Sequence, residues 1–273
     1  MERSIKDEIL ELIKSHDEHP ELGEIVYDEE TEGFSRENKT NGLYERWYDN
    51  GQREKRCTYK DGETNGLWEE WYRNGQLKEQ CTTVSSFVDG LFLSWYKNGQ
   101  LKERGNYIAG DANGLWEEWY KSGQLKTRGT DKSGKADGLF ECWYDNGQLK
   151  ERCTYKDDKI DGLFEGWHNN GQLKECGTYK DGKENGLFEE WYENGQLKSR
   201  RNYVSGSLHG LYESFYEDGR IEGRSTYKNG LKDGLSEIRN IEGELVSLTL
   251  FKEDVAVHVY YIRSRPFIGS FIL

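Results

Sequence analysis

Glycine recurs in this chain at a fixed interval of 24 residues, and no other feature narrows its possible folds as much. One series runs from Gly42 through Gly66 and Gly90 to Gly234, each glycine followed by leucine. A second series, from Gly51 through Gly75 to Gly243, keeps the same step. Nine units of 24 residues therefore span 41–256 without an insertion. A period of this length marks a stacked array, in which each unit is one supersecondary element that buries its apolar surface only against its neighbours.

The unit at 185–208 reads NGLFEEWYENGQLKSRRNYVSGSL. Two short β-prone stretches flank Asn194-Gly195, the strongest short hairpin signal. A two-residue type I′ loop is expected there, with φ positive at both Asn and Gly. A K-D-G loop such as Lys60-Asp61-Gly62 leads to the next unit. The expected fold is all-β: an elongated, twisted, single antiparallel sheet of tandem β-hairpins. Composition agrees. Only 34% of residues are hydrophobic and 33% are charged, which alone would suggest disorder. The 9 Trp, 18 Tyr and 10 Phe argue instead for a thin sheet carrying an aromatic stripe.

Period-2 alternation assigns two faces if the hairpin loop holds two residues. The expected core face carries one aromatic column (Tyr44, Trp68, Phe92 and onward), the Tyr48 and Tyr59 columns, the Leu77 column and Cys57, Cys81 and Cys153. The other face carries Leu, Glu and Trp from the first strand and Gln, Lys and Arg from the second. That register places Lys78 across from Trp71 and Lys198 across from Trp191, a cation–π lattice, with Glu45–Arg56 and Glu189–Arg200 as charge pairs. The exposed Trp column (Trp71, Trp95, Trp119, Trp143, Trp167, Trp191) is one candidate interaction surface. A second is an apolar irregularity, where Phe87 and Val88 replace a charged loop and Leu93 replaces the usual Glu.

The ends differ from the array. Residues 1–40 hold 13 acidic and 5 basic side chains, so they carry −8 of the formal −13. Residues 4–15 read as an amphipathic helix, with Ile5, Ile9, Leu12 and Ile13 on one side, capping the first hairpin. After the array, 257–273 form an apolar segment expected to cap the last edge, with Phe267–Leu273 as its end. The expected organisation is thus 1–40 cap, 41–256 array and 257–273 cap or interface.

The motif G-L-[WF]-E-E-W-Y-x-N-G-Q-L-K-x-R-x-x-Y-K-D-G-K resembles the MORN-repeat variant family. Its members include bacterial YwqK-type antitoxin-like proteins and repeat proteins of giant viruses. The resemblance implies consecutive hairpins and a scaffolding or protein-binding role, with lipid association in some eukaryotic relatives. It supplies no catalytic residues.

Chemistry is expected to be absent as well. The five histidines are His16, His19, His168, His209 and His258. His168 and His209 stand in repeat columns, and no nucleophile elbow, phosphate-cradling loop or HExxH occurs. No metal-ligand spacing is present, so neither metal nor cofactor is expected. Five cysteines with no apolar leader fit a reducing, cytoplasmic location. The sequon at Asn38-Lys39-Thr40 reads as chance. No basic stripe is present to neutralise phosphates, and the acidic balance disfavours nucleic acid and anionic membranes. The expected function is a non-catalytic scaffold for an unidentified protein partner, antitoxin-like or virion-associated in its narrower versions. Carbohydrate, choline or lipid binding through the Trp/Tyr face is the alternative.

Overall fold

The computed structural model describes residues 5–15, 17, 24–28, 33–36 and 40–260. Phe267–Leu273, His16, His19 and most of the Asn38 sequon lie outside the described residues. Two compact units are formed, Met1–Asp137 and Gly138–Leu273. Each is an open antiparallel sheet whose hairpins pair in chain order, four in the first unit and five in the second. Among the described residues one helix, α1 (Ile5–Ser15), precedes the strands.

The first hairpin joins β3 (Gly42–Tyr48) to β4 (Arg53–Lys60), after the short strands β1 (Val26–Asp28) and β2 (Gly33–Arg36). Its turn is not the type I′ loop expected at Asn-Gly. The Gly51 amide donates to the Tyr48 carbonyl at 2.9 Å, and the Tyr48 amide donates to the Gln52 carbonyl at 2.8 Å. Gly51 has φ +79°, whereas Asn50 is not among the residues with positive φ. This is a three-residue loop, a type I turn followed by a left-handed glycine. Asparagine serves through its side chain. Asn50 Oδ1 accepts from the Gln52 amide at 3.2 Å, and Nδ2 donates to the Arg73 carbonyl one unit on at 2.9 Å.

The type I′ turn lies at the other loop. Asp61 (φ +52°) and Gly62 (φ +83°) sit between the paired residues Lys60 and Glu63. The side chain before the repeat glycine supports that turn at Asn41, Asp89, Asp161 and Asn185, as where Asn41 Oδ1 accepts from the Asp61 amide at 3.0 Å.

The third loop residue changes the faces. Gly42 to Arg46 follow the expected register, but Trp47 pairs with Arg53, and Glu54 is left over as a bulge. The same shift places Trp71 opposite Leu77, Trp143 opposite Leu149 and Trp191 opposite Leu197. One extra residue reverses the side on which everything beyond it points. The Leu77 column therefore joins the Trp face, and the Lys78 column moves to the aromatic face. The Trp–Lys lattice is not formed. Lys78 Nζ instead meets Glu70 at 2.8 Å, and that carboxylate raises the Lys78 pKa above the ordinary lysine value.

The aromatic face is only half covered, because among the described residues no second layer of structure lies over the repeats. Tyr44 and Phe188 are buried, but most of their column is half-exposed. The other buried positions on that face are mostly small, including Cys57, Cys81, Cys142, Cys153, Ser94 and Ser199. Across that face the ring of the first strand meets the second-strand tyrosine edge-on, from Phe188–Tyr203 at 5.3 Å to Tyr212–Tyr227 at 6.2 Å between centroids. Two units have no aromatic residue there, with Thr83 and Asp131 in its place, and these two carry the larger Trp68 and Trp116 in the first-strand column.

Among the described residues, the one apolar cluster of buried residues is at the N-terminal end. Ile13, Ile25, Phe34 and Trp47 are buried together, with Ile9, Leu10 and Tyr27 packed against them. The helix thus closes over the first hairpin. Its packed side differs from the expected one: Leu12 is exposed and Leu10 takes part.

Candidate interaction surfaces

The Trp face is built from two columns that the bulge brings together. Trp71, Trp95, Trp119, Trp143, Trp167 and Trp191 are half-buried, and each pairs across the hairpin with a leucine. Guanidinium groups rather than ammonium groups lie over three of them. Arg53 is 5.5 Å from the Trp71 ring, Arg104 is 5.8 Å from Trp119 and Arg152 is 5.5 Å from Trp167. The same arginines serve the glutamate column. Arg152 Nη2 meets Glu165 at 2.6 Å, and Arg104 meets Glu117. Glu189–Arg200 and Glu213–Arg224 pair as expected, at 2.8 and 2.9 Å. At these exposures each pair contributes at most about 1 kcal/mol.

Beside these charges runs a row that the sequence reading did not single out. The leucine after the repeat glycine is exposed in eight of the nine repeats: Leu67, Leu91 and Leu115 in the first unit, and Leu139, Leu163, Leu187, Leu211 and Leu235 in the second, at 40–52%, whereas Leu43 is half-buried. Neighbouring leucines are two strands apart, about 10 Å. The signal was available in the invariant Gly-Leu step, but alternation alone could not tell that the aliphatic column stays uncovered.

The Phe87 region is rearranged relative to expectation. Phe87 is 59% exposed, but Val88 and Leu93 are half-buried. Leu93 pairs with Gln80 and Arg104 and does not join Phe87. The neighbours of Phe87 are instead its cross-strand partner Val84 and the backbone of Gly110, where an added Cβ would lie 2.9 Å from the Phe87 ring. Val84 and Ile108 are also exposed.

Arg36, which drew no notice in the sequence, is 1% exposed and donates to Glu45 Oε2 at 3.0 Å and to Asp17. Glu45 is equally buried, with Arg53 at 3.3 Å. All five cysteines are free thiols, and burial pushes Cys81 and Cys153 up to about 11. Among the described residues no group of His, Cys, Asp or Glu could hold a metal ion, and no helix is long and apolar enough to cross a membrane.

Comparison with known families gives one match. A family described as the MORN repeat variant matches eight times, at 40–61, 64–84, 88–109, 112–130, 136–157, 160–181, 184–205 and 208–229, more than half of the chain. The hairpin at Leu231–Lys252 falls outside these matches yet repeats their turn, with the Gly243 amide donating to the Asn240 carbonyl at 2.9 Å. No curated protein matches.

Proposed function

The chain belongs to the MORN-repeat variant family, and from that premise we propose that it is a non-catalytic scaffold that docks a protein partner on its Trp and Leu face. The observation that carries this reading is the uncovered leucine row. An apolar stripe bordered by Glu–Arg pairs has the make-up of a protein interface, with an apolar centre and a polar rim. The hairpins repeat nearly identical side chains, which supplies a long surface rather than unlike groups converging on one reacting atom. An antitoxin-like or virion-associated role is the same activity narrowed to one dedicated partner. Sugar or choline stacking on the Trp column is less well supported, because Arg53, Arg104 and Arg152 already occupy ring faces there. The formal charge of −13 likewise speaks against anionic lipid.

The test is affinity capture from the native source with the wild-type chain and with a Leu163→Asp/Leu187→Asp double variant. Both leucines are exposed, so the variant should keep the wild-type circular dichroism. A defined set of proteins recovered by the wild type and lost from the variant is the expected result. Identical recovery by the two chains overturns the assignment of the face.

A further inference from the structure

The aromatic face of the second unit has one place where its own pattern fails. Phe188 shows the rule: it stands edge-on between Tyr179 and Tyr203, at 5.3 Å from each, and is 5% exposed. It lies so close over Gly177 that a Cβ there would come within 2.4 Å of the ring. Where a second-strand tyrosine is lost, at Thr83 and Asp131, the first-strand ring grows to tryptophan. Aromatic volume is therefore maintained through eight units. In the ninth, the first-strand position is Ser236, between Tyr227 and Phe251, and nothing enlarges to compensate.

The result is a cavity of about 240 Å³ lined by Tyr212, Ser225, Tyr227, Lys232, Ser236 and Ile238, among others. For scale, an apolar cavity of about 150 Å³ holds a benzene molecule. Lys232 lies against the Phe251 ring at 5.2 Å, and the buried Ser225 and Ser236 hydroxyls share a 2.7 Å hydrogen bond. Tyr227 supplies a ring wall in the place that Tyr179 holds beside Phe188, and Tyr212 stands edge-on to Tyr227 at 6.2 Å as a second aromatic wall. The serine pair supplies a hydroxyl that can accept from or donate to a polar tip. The geometry points to a slot that receives one aromatic side chain, tyrosine by its polar tip, presented by a partner protein. The identity of the occupant as a protein side chain rests on the scaffold reading; the fit of a ring does not.

The test uses the full chain and N-acetyltyrosine amide as the probe, with N-acetylalanine amide as control, followed by saturation-transfer NMR. The tyrosine amide should bind with a dissociation constant on the order of millimolar, as expected of a fragment of this size. Ser236→Phe, which fills the slot from the chain's own backbone, should weaken it by about tenfold or more while keeping the wild-type circular dichroism. Ser236→Ala should keep most of the affinity. Absence of binding to the wild type, or equal binding to Ser236→Phe, overturns the proposal. A Ser236→Phe chain that does not fold also overturns it, because a slot that fits a ring must accept one at this position. No partner protein enters the experiment, so its failure is separate from the failure of the leucine-row assignment.

Discussion

The phenolic hydroxyl of Tyr48 donates a 2.8 Å hydrogen bond to the main-chain carbonyl of Trp71, in the next repeat. The bond recurs from Tyr72 to Trp95, Tyr96 to Trp119, Tyr144 to Trp167, Tyr192 to Phe215 and Tyr216 to Arg239. His168 stands in the column and places Nε2 2.9 Å from the Trp191 carbonyl, so a ring of another kind keeps the contact. The acceptor is a backbone atom, which makes the latch independent of the residue one unit on. Tyr144→Phe removes one latch and leaves that carbonyl half-buried. The expected loss is about 1 kcal/mol in urea denaturation, with faster hydrogen exchange around Trp167 than around distant units.

The turn assignments separate two kinds of substitution. Asn146 Oδ1 accepts from the Gln148 amide at 3.0 Å, and Nδ2 donates to the Asn169 carbonyl at 3.1 Å. Asn146→Asp keeps the first bond and loses the second, and should cost roughly 1 kcal/mol. Gly147 has φ +86°, where a β-branched side chain is strained, so Gly147→Val should cost about 1–3 kcal/mol more than an exposed surface change. Equal losses from the two variants would contradict the type I turn, since a type I′ loop would demand positive φ of both residues.

Arg36 and Glu45 are both 1% exposed, which makes their pairing one-sided in its consequences. Arg36→Met leaves the Glu45 carboxylate buried, with Arg53 and Arg56 at 3.3 and 3.9 Å as its remaining cations. The expected loss is about 3 kcal/mol, and replacing Arg36 and Glu45 together by Met should recover most of it. Melting curves of the two variants check this. A larger loss in the double variant would show that the ion pair stabilises the cap outright.

Cys81 and Cys153 are pushed up to about 11 from the ordinary 9.0, first by burial and then by Glu79 and Glu151 respectively. A thiol with pKa 11 is about one part in a thousand thiolate at pH 8, so iodoacetamide should label these positions only after unfolding. The folded state holds the neutral thiol more tightly than the unfolded state does. That stabilisation is complete below about pH 9 and is lost as pH rises toward 11. Denaturation midpoints measured across that window should fall, and Cys81→Ser/Cys153→Ser should flatten the slope.

The repeat itself was legible because a period of 24 leaves few ways to place paired strands. The hairpin class, the aromatic column and the Glu–Arg column of 45–56 and 189–200 all follow from alternation before the turn is reached. Beyond Arg46 alternation misassigned the faces, since Asn-Gly is compatible with a two-residue and a three-residue loop, and composition cannot choose between them. Phe87 was readable as an exposed anomaly, whereas its packing on Gly110 rather than beside Leu93 depends on the irregular strand start at Phe87–Val88. The cavity at Ser236 was visible only as a missing aromatic, and its walls needed the register of Ser225 and Ser236.

By itself, then, the spacing of Gly42 and Gly51 through Gly234 and Gly243 determined the number of hairpins and their antiparallel order. The local pattern specifies which residues pair because main-chain hydrogen bonding and alternation act over a few residues. Tertiary structure alone decided the rest. The third loop residue moved the Leu77 column beside Trp71 and sent Lys78 to Glu70, leaving the leucine row open on one face and an unfilled aromatic slot on the other. Those outcomes depend on which neighbours cover a side chain, and covering is set by the packing of one hairpin on the next rather than by the order of residues within either.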